Sequence, residues 1–183
     1  MVMLATIQNY DARVAAGRVM EDRIFTALAK VLAPRGITIE PATKTEDVHD
    51  KIDRWLNNPK KGRYSVQGKW RESGDDLIFE IVKNVRTWEP GRDSICGAQL
   101  YFFVDRQGCG WMYQTAPIKD SVSKLLAEAK ADLTDRNPCR TKWDGAGYEM
   151  KVTTDHAHGN DKLLVFFLPT HFPLLERFPG LLG

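Results

Sequence analysis

A chain of 183 residues, 43% hydrophobic and 27% charged, has the material for one compact core and lies outside the composition of disordered, collagenous or coiled-coil chains. Its formal net charge of +2 permits nucleic-acid binding without arguing for it, because a phosphate-binding face depends on where cations cluster. Three cysteines, Cys96, Cys109 and Cys139, are an odd number without close paired spacing, which favours reduced thiols over a disulfide framework or a zinc site. The opening MVMLATIQNYDAR is too short in its apolar part for a signal peptide, and no run reaches membrane-spanning length. The expectation is a single cytoplasmic domain over 1–183, not attached to a membrane.

From Tyr10 to Leu32 the residues Val14, Gly17, Ile24, Phe25, Leu28 and Leu32 fall on one stripe at helical spacing. Glu21 lies in the middle of that stripe, where a carboxylate calls for a partner or a metal; pairing with Arg18 or Arg23 is the simpler account. Pro34, Arg35 and Gly36 end the helix, and Ile37 to Glu40 reads as a short strand. The next stretch has two readings. Thr45 can cap a helix with Val48, Ile52, Trp55 and Leu56 as its apolar stripe, which local pattern favours, or the chain can be extended around Asp53. On base rates Asp53 is a surface acid beside Lys51 and Arg54.

NNPKKG is a turn that delivers YSVQGKW as a hairpin strand, in which Ser65, Gln67 and Lys69 share one face and Tyr64, Val66, Gly68 and Trp70 the other. After the turn RESGDD, LIFEIV is the most strand-like run and is expected at the centre of a sheet, apolar on both faces except for Glu80 between Ile78 and Val82. NVRTWEPGRDS is a loop whose Arg86, Trp88 and Arg92 combine cations with an aromatic, a combination that can grip a phosphate backbone or stack a base. An aromatic packed under solvated arginines is the equally simple alternative.

Strands follow at Leu100 to Val104 and Trp111 to Gln114, with Asp105 and Arg106 at the turn, and then a helix from Ser121 to Leu133. Asn137 to Gly147 reads as a basic, glycine-bearing loop, and two strands flank the turn DHAHGND. Asp155, His156 and His158, with His171, form a rival metal constellation, although turn histidines ordinarily have no ligand role. The last segment, FPLLERFPGLLG, is apolar and suited to packing on the sheet or to a contact between subunits.

An acid, a gap, and then a strand ending in residue-any-Lys resembles the PD-(D/E)XK nuclease superfamily. The N-terminal helix with its Glu, TKTEDVHDKIDRWL, YSVQGKW and LIFEIVKNVRTWEPG are similar over roughly residues 10–115 to small phage-encoded members described as Holliday-junction resolvases or endonucleases. The resemblance implies an α/β fold with a restriction-endonuclease-like core, a mixed central β-sheet flanked by helices in αβββαβ order, and a strand-rich C-terminal extension over about 148–183. It places Asp53 at a strand. It also implies a DNA endonuclease of the host cytoplasm that uses Mg²⁺ or Mn²⁺, with branched DNA as substrate and a homodimer as its form.

Carried over residue by residue, Glu21 matches the helix acid, Asp53 the first motif acid, Gln67 the acid of the second motif and Lys69 its lysine. Gln67 departs from the pattern: an amide oxygen can ligate a metal but brings no charge. Glu80 is the substitute acid, and Arg86, Trp88 and Arg92 are the expected DNA contacts. The alternative is a nuclease-fold module without activity that binds DNA or a protein partner.

Overall fold

The first helix is longer than the stripe that announced it. In the computed structural model, which describes residues 2–72, 74–133, 142–155 and 159–183, α1 spans Val2–Leu32. Ile24, Phe25, Leu28 and Leu32 are buried, whereas residues 15–19, Gly17 of the stripe among them, are exposed. A single 3₁₀ turn holding Pro34 ends the helix, and Gly36 at φ 73° donates its N–H to the Ala33 carbonyl, a left-handed stop that glycine adopts without strain. β1 (Thr38–Pro41) follows.

Between β1 and β2 (Arg54–Asn58) the extended reading holds, and Asp53 sits immediately before the strand. Thr43 and Glu46 form a reciprocal capping box, the Thr43 N–H donating to Glu46 Oε2 at 2.7 Å and the Glu46 N–H to Thr43 Oγ1 at 3.3 Å. The turn that they start is one wide loop of helix, Glu46–Asp50, stopped by Lys51 at φ 55°. Ile52 and Leu56, which a helix would stack on one face, are buried in different cores, and Val48 is 49% exposed. The ladders from β2 to β1 and β3 take the hydrogen bonds that a helix would have used.

β3 is Gly62–Trp70, β4 Leu77–Asn84, β5 Glu89–Pro90, β6 Leu100–Val104 and β7 Gly110–Gln114. Then come α2 (Thr115–Leu133), β8 (Lys142–Gly145), β9 (Tyr148–Asp155), β10 (Asn160–Phe167) and β11 (Leu174–Phe178). One sheet has the order β1-β2-β3-β6-β7-β11 and is mixed, because β3 and β6 run parallel and the other neighbours antiparallel. The other, β5-β4-β10-β9-β8, is antiparallel throughout.

The chain is thus α/β with a mixed sheet, and it departs from the expected arrangement in five places. β4 does not lie at the centre of one sheet but in the second sheet between β5 and β10. The long crossover that a parallel pair requires runs from β3 to β6 through β4 and β5, where the αβββαβ order expects a helix. α2 begins at Thr115, ahead of the expected Ser121, because Pro117 falls in the first turn, where its missing N–H is harmless. Lys142–Gly145, within the stretch read as a loop, is a strand. The C-terminal strands are built into the body of the fold, since β8, β9 and β10 make most of the second sheet and β11 closes the first.

All five residues of β6 are buried, as expected of a strand covered on both faces. Leu100, Phe102 and Val104 pack with Val66 and Met112 against Ile24, Phe25 and Leu28 of α1. Tyr101 and Phe103 point the other way, into a core shared with the second sheet and α2, where Phe79 meets both rings edge-on at 5.2 and 5.3 Å. No described helix is long and apolar enough to cross a membrane.

Candidate functional site

β2 pairs with β3 only as far as Arg54 opposite Val66, and beyond that point residues 67–70 of β3 are paired with β6 alone. Asp53 fills the gap left by the shorter strand. Its Oδ2 accepts the Gly68 N–H at 2.7 Å and the Gln67 amide Nε2 at 2.5 Å, and its Oδ1 accepts Arg92 Nη2 at 3.1 Å. The residue is only 3% exposed. Burial is the main cause that pushes its carboxyl from 3.8 up to about 7, the nearby Glu21 charge adds to it, and Arg92 opposes both.

Glu21 projects from α1 toward the same place. Its partner is Arg54 at 2.9 Å, not Arg18 or Arg23, and Arg54 also holds Asp22 at 2.5 Å and the Asp53 carbonyl at 2.8 Å. Partial burial raises the Glu21 carboxyl, with Arg54 pulling the other way and the charge of Asp47 adding to the rise. The strand backbone comes close to α1 and to Asp53, since a Cβ on Gly68 would lie 2.6 Å from the Phe25 ring and 3.5 Å from Asp53 Oδ2.

Lys69, two residues beyond Gln67 on the same face, turns to a different acid. Its Nζ lies 2.6 Å from Oδ1 and 2.8 Å from Oδ2 of Asp93, whose carboxylate also accepts the Glu80 N–H at 2.6 Å and the Tyr101 hydroxyl at 3.1 Å. Adjacent residues of one loop therefore serve the two halves of the site, Arg92 on Asp53 and Asp93 on Lys69. An open cleft of about 450 Å³ runs past them, lined among others by Arg18, Glu21, Asp47, Lys69, Trp70 and Arg92. A second hollow reaches Lys44, Asp53 and Arg54.

The loop is held in a demanding shape. Trp88 has φ 53°, and a Cβ on Gly91 would run into the Glu80 carbonyl. Gly91→Ala is expected to destabilise the fold by about 1–3 kcal/mol and to loosen Arg92 and Asp93 together, checked by chemical denaturation.

The structure thus gathers Glu21, Asp53, Gln67, Lys69 and Arg92, with Glu80 under the loop that carries Arg92 and Asp93, and it sets the remaining expected site residues elsewhere. Glu80 shares its face of β4 with Ile78 and Val82, and its half-buried carboxylate takes Lys162 at 2.8 Å and the Arg92 backbone N–H at 3.4 Å, while the other face buries Leu77, Phe79 and Ile81. Arg86 reaches Asp161 at 3.7 Å, and the Trp88 ring packs on the core with Lys130 at 5.7 Å, both away from the cleft. His156 and His158 lie outside the described residues, as does the side chain of Asp155; His171 packs on Phe167 and Phe172, each at 4.8 Å. Asp47 and Asp93 were not singled out by sequence. Asp93 carries no local signal, because its role comes from a pairing with Lys69 across twenty-four positions.

Among the described residues no three His, Cys, Asp or Glu side chains are gathered so that they could hold a metal. The donor chemistry nonetheless suits a hard divalent ion. Gln67 is 1% exposed and its Oε1 has no hydrogen-bond partner, an expensive state for a buried acceptor that a cation would relieve. The acid bonded to Gln67 is Asp53, whose Oδ1 has Arg92 as its partner, and Glu21 lies close enough to Asp53 to raise its carboxyl. No protein family, curated protein or solved structure matches this chain.

Proposed function

We propose that this chain is a divalent-metal-dependent DNA endonuclease with a restriction-endonuclease-like core, and that branched DNA is its preferred substrate. The observation that carries the reading is the grouping of Glu21, Lys69 and Arg92 on one cleft, with the buried Asp53 bonded to Arg92 and to Gln67. Asp53, Gln67 Oε1 and Glu21 would hold Mg²⁺ or Mn²⁺, which when bound polarises the phosphoryl group and supplies an activated water.

The rest of the chemistry belongs to the chain. Arg18, Lys44 and Arg92 line the two hollows and suit the flanking phosphates, and Lys69 offers an N–H to the phosphate under attack. Trp70, 37% exposed at the cleft, is placed to stack on an unpaired base, as a branch point would present. Cutting both arms of a junction would call for a homodimer.

The test is cleavage of end-labelled four-way junction, flap and linear duplex DNA with Mg²⁺ or Mn²⁺. Wild type is expected to cut the branched forms, and Lys69→Ala to lower kcat by about 100-fold or more. Cutting that persists in EDTA would sink the reading.

A second reading has its own observation. Arg54 sits on Glu21 and Arg92 on Asp53, so each acid already has a cation of the protein itself. A DNA-binding module without activity would look like this; it would bind DNA with a steep salt dependence, unchanged by Mg²⁺ and by Lys69→Ala.

A further inference from the structure

We propose that Asp93 is the positioning residue of the site, the acid that fixes Lys69 Nζ at the cleft in place of a carboxylate at position 67. The inference rests on the nuclease reading and adds to it the group that orients the cation. In the pattern that the chain resembles, the acid and the lysine stand two residues apart on one strand face. Here that neighbour is the amide of Gln67, which gives its N–H groups to Asp53 and to the Gly68 carbonyl and makes no hydrogen bond to Lys69. The negative charge beside Lys69 comes instead from the loop before β6.

The geometry suits positioning. An ammonium has three N–H groups, and Asp93 engages it from one side, with a hydrogen bond to Oδ2 at 2.8 Å and Oδ1 in ion-pair contact at 2.6 Å. N–H capacity is left for the cleft, which Lys69 lines with its side chain 17% exposed. Asp93 itself cannot shift: its side chain is 1% exposed, and the Glu80 N–H and the Tyr101 hydroxyl fix both of its oxygens. Its own N–H returns to the Glu80 carbonyl at 3.1 Å, so the acid is clamped to β4 through backbone and side chain together. The Phe79 ring, 5.8 Å from Nζ, forms the floor under the lysine. A flexible four-carbon side chain is thereby reduced to one position, next to the loop residue that contacts Asp53.

The experiment compares wild type, Lys69→Ala, Asp93→Asn and the double variant for kcat on junction DNA with Mg²⁺, and for DNA affinity in Ca²⁺. It also follows the NMR signals of ¹³C-methylated lysines, with the Lys69 signal assigned from Lys69→Arg. Positioning predicts a loss of about 100-fold in kcat for Asp93→Asn, with affinity changed less than about 3-fold, and a double variant no worse than Lys69→Ala. The Lys69 signal, set apart in wild type, would join those of the exposed lysines in Asp93→Asn. Tyr101→Phe removes one hydrogen bond to Asp93 and no charge, so a smaller loss of kcat with the fold intact guards against a variant that merely unfolds. Full kcat in Asp93→Asn while the Lys69 signal moves would overturn the positioning role and leave the nuclease reading standing. A wild type that shows the separated Lys69 signal yet cuts no DNA would overturn both.

Discussion

Asp53→Asn is expected to abolish metal-dependent cleavage, with a loss of about 1,000-fold or more, and at the same time to make the protein more stable at pH 8. The two effects have one cause. The ionised carboxylate is the charge that holds a divalent ion, and its removal takes away the hardest ligand at the site. That same carboxylate is buried beside Glu21 and pushed up to about 7, so keeping it ionised above that pH works against folding. Asparagine keeps one oxygen for the Gly68 N–H and the Gln67 amide while losing the Arg92 contact. A gain of about 2 kcal/mol in denaturant unfolding at pH 8, together with lost cleavage, is the expected pair of results. A variant that lost activity and stability together would point to Asp53 as a fold residue.

The pH dependence of the wild type should show the same charge from the other side. A carboxyl that binds its proton more tightly folded than unfolded stabilises the fold fully below 3.8, and that contribution drains away as the pH rises through about 7. The window corresponds to about 4 kcal/mol for Asp53, and Glu21, raised for the same reason, acts in the same direction. In EDTA, stability is therefore expected to fall between pH 4 and pH 8. Mg²⁺ or Mn²⁺ in excess should restore it at the upper end and leave the lower end unchanged, because the ion competes with the proton for one carboxylate. Asp53→Asn should flatten most of the slope. A wild-type curve that is flat from pH 4 to pH 8 without metal would contradict the buried charge at Asp53.

The sequence was legible where structure is local. The helix end at Pro34 to Gly36, the hairpin turn after Asn58 and the alternation of β3 all follow from turn chemistry and a period of two, and these carry Asp53, Gln67 and Lys69 to one place. It misled where two periodicities coincide: Val48, Ile52 and Leu56 fit a helical stripe, but strand pairing on both sides of β2 decides otherwise. The second sheet was hidden because Leu77 to Val82 reads as a buried strand in any sheet, and only its pairing with β10 says which. Asp93 was hidden for a related reason, since an acid in a loop looks solvated until the lysine that it meets is known.

The pairing of β4 with β10 sets Val82 opposite Leu163, whereas the residues of the candidate site all lie between Arg18 and Asp93. The chemistry is thus contiguous in the first half of the chain, and the strand that anchors it is held from the far end. Without β10, β4 keeps only the two-residue β5 as a neighbour, and the loop that delivers Arg92 and Asp93 loses its footing. A contact of such long sequence separation forms late, because closing that loop of chain is entropically expensive until other structure is in place. On the ribosome the loop that carries Arg92 and Asp93 would therefore stay unanchored until β10 emerges, so a chain that stopped short of β10 would carry every residue of the site without its arrangement.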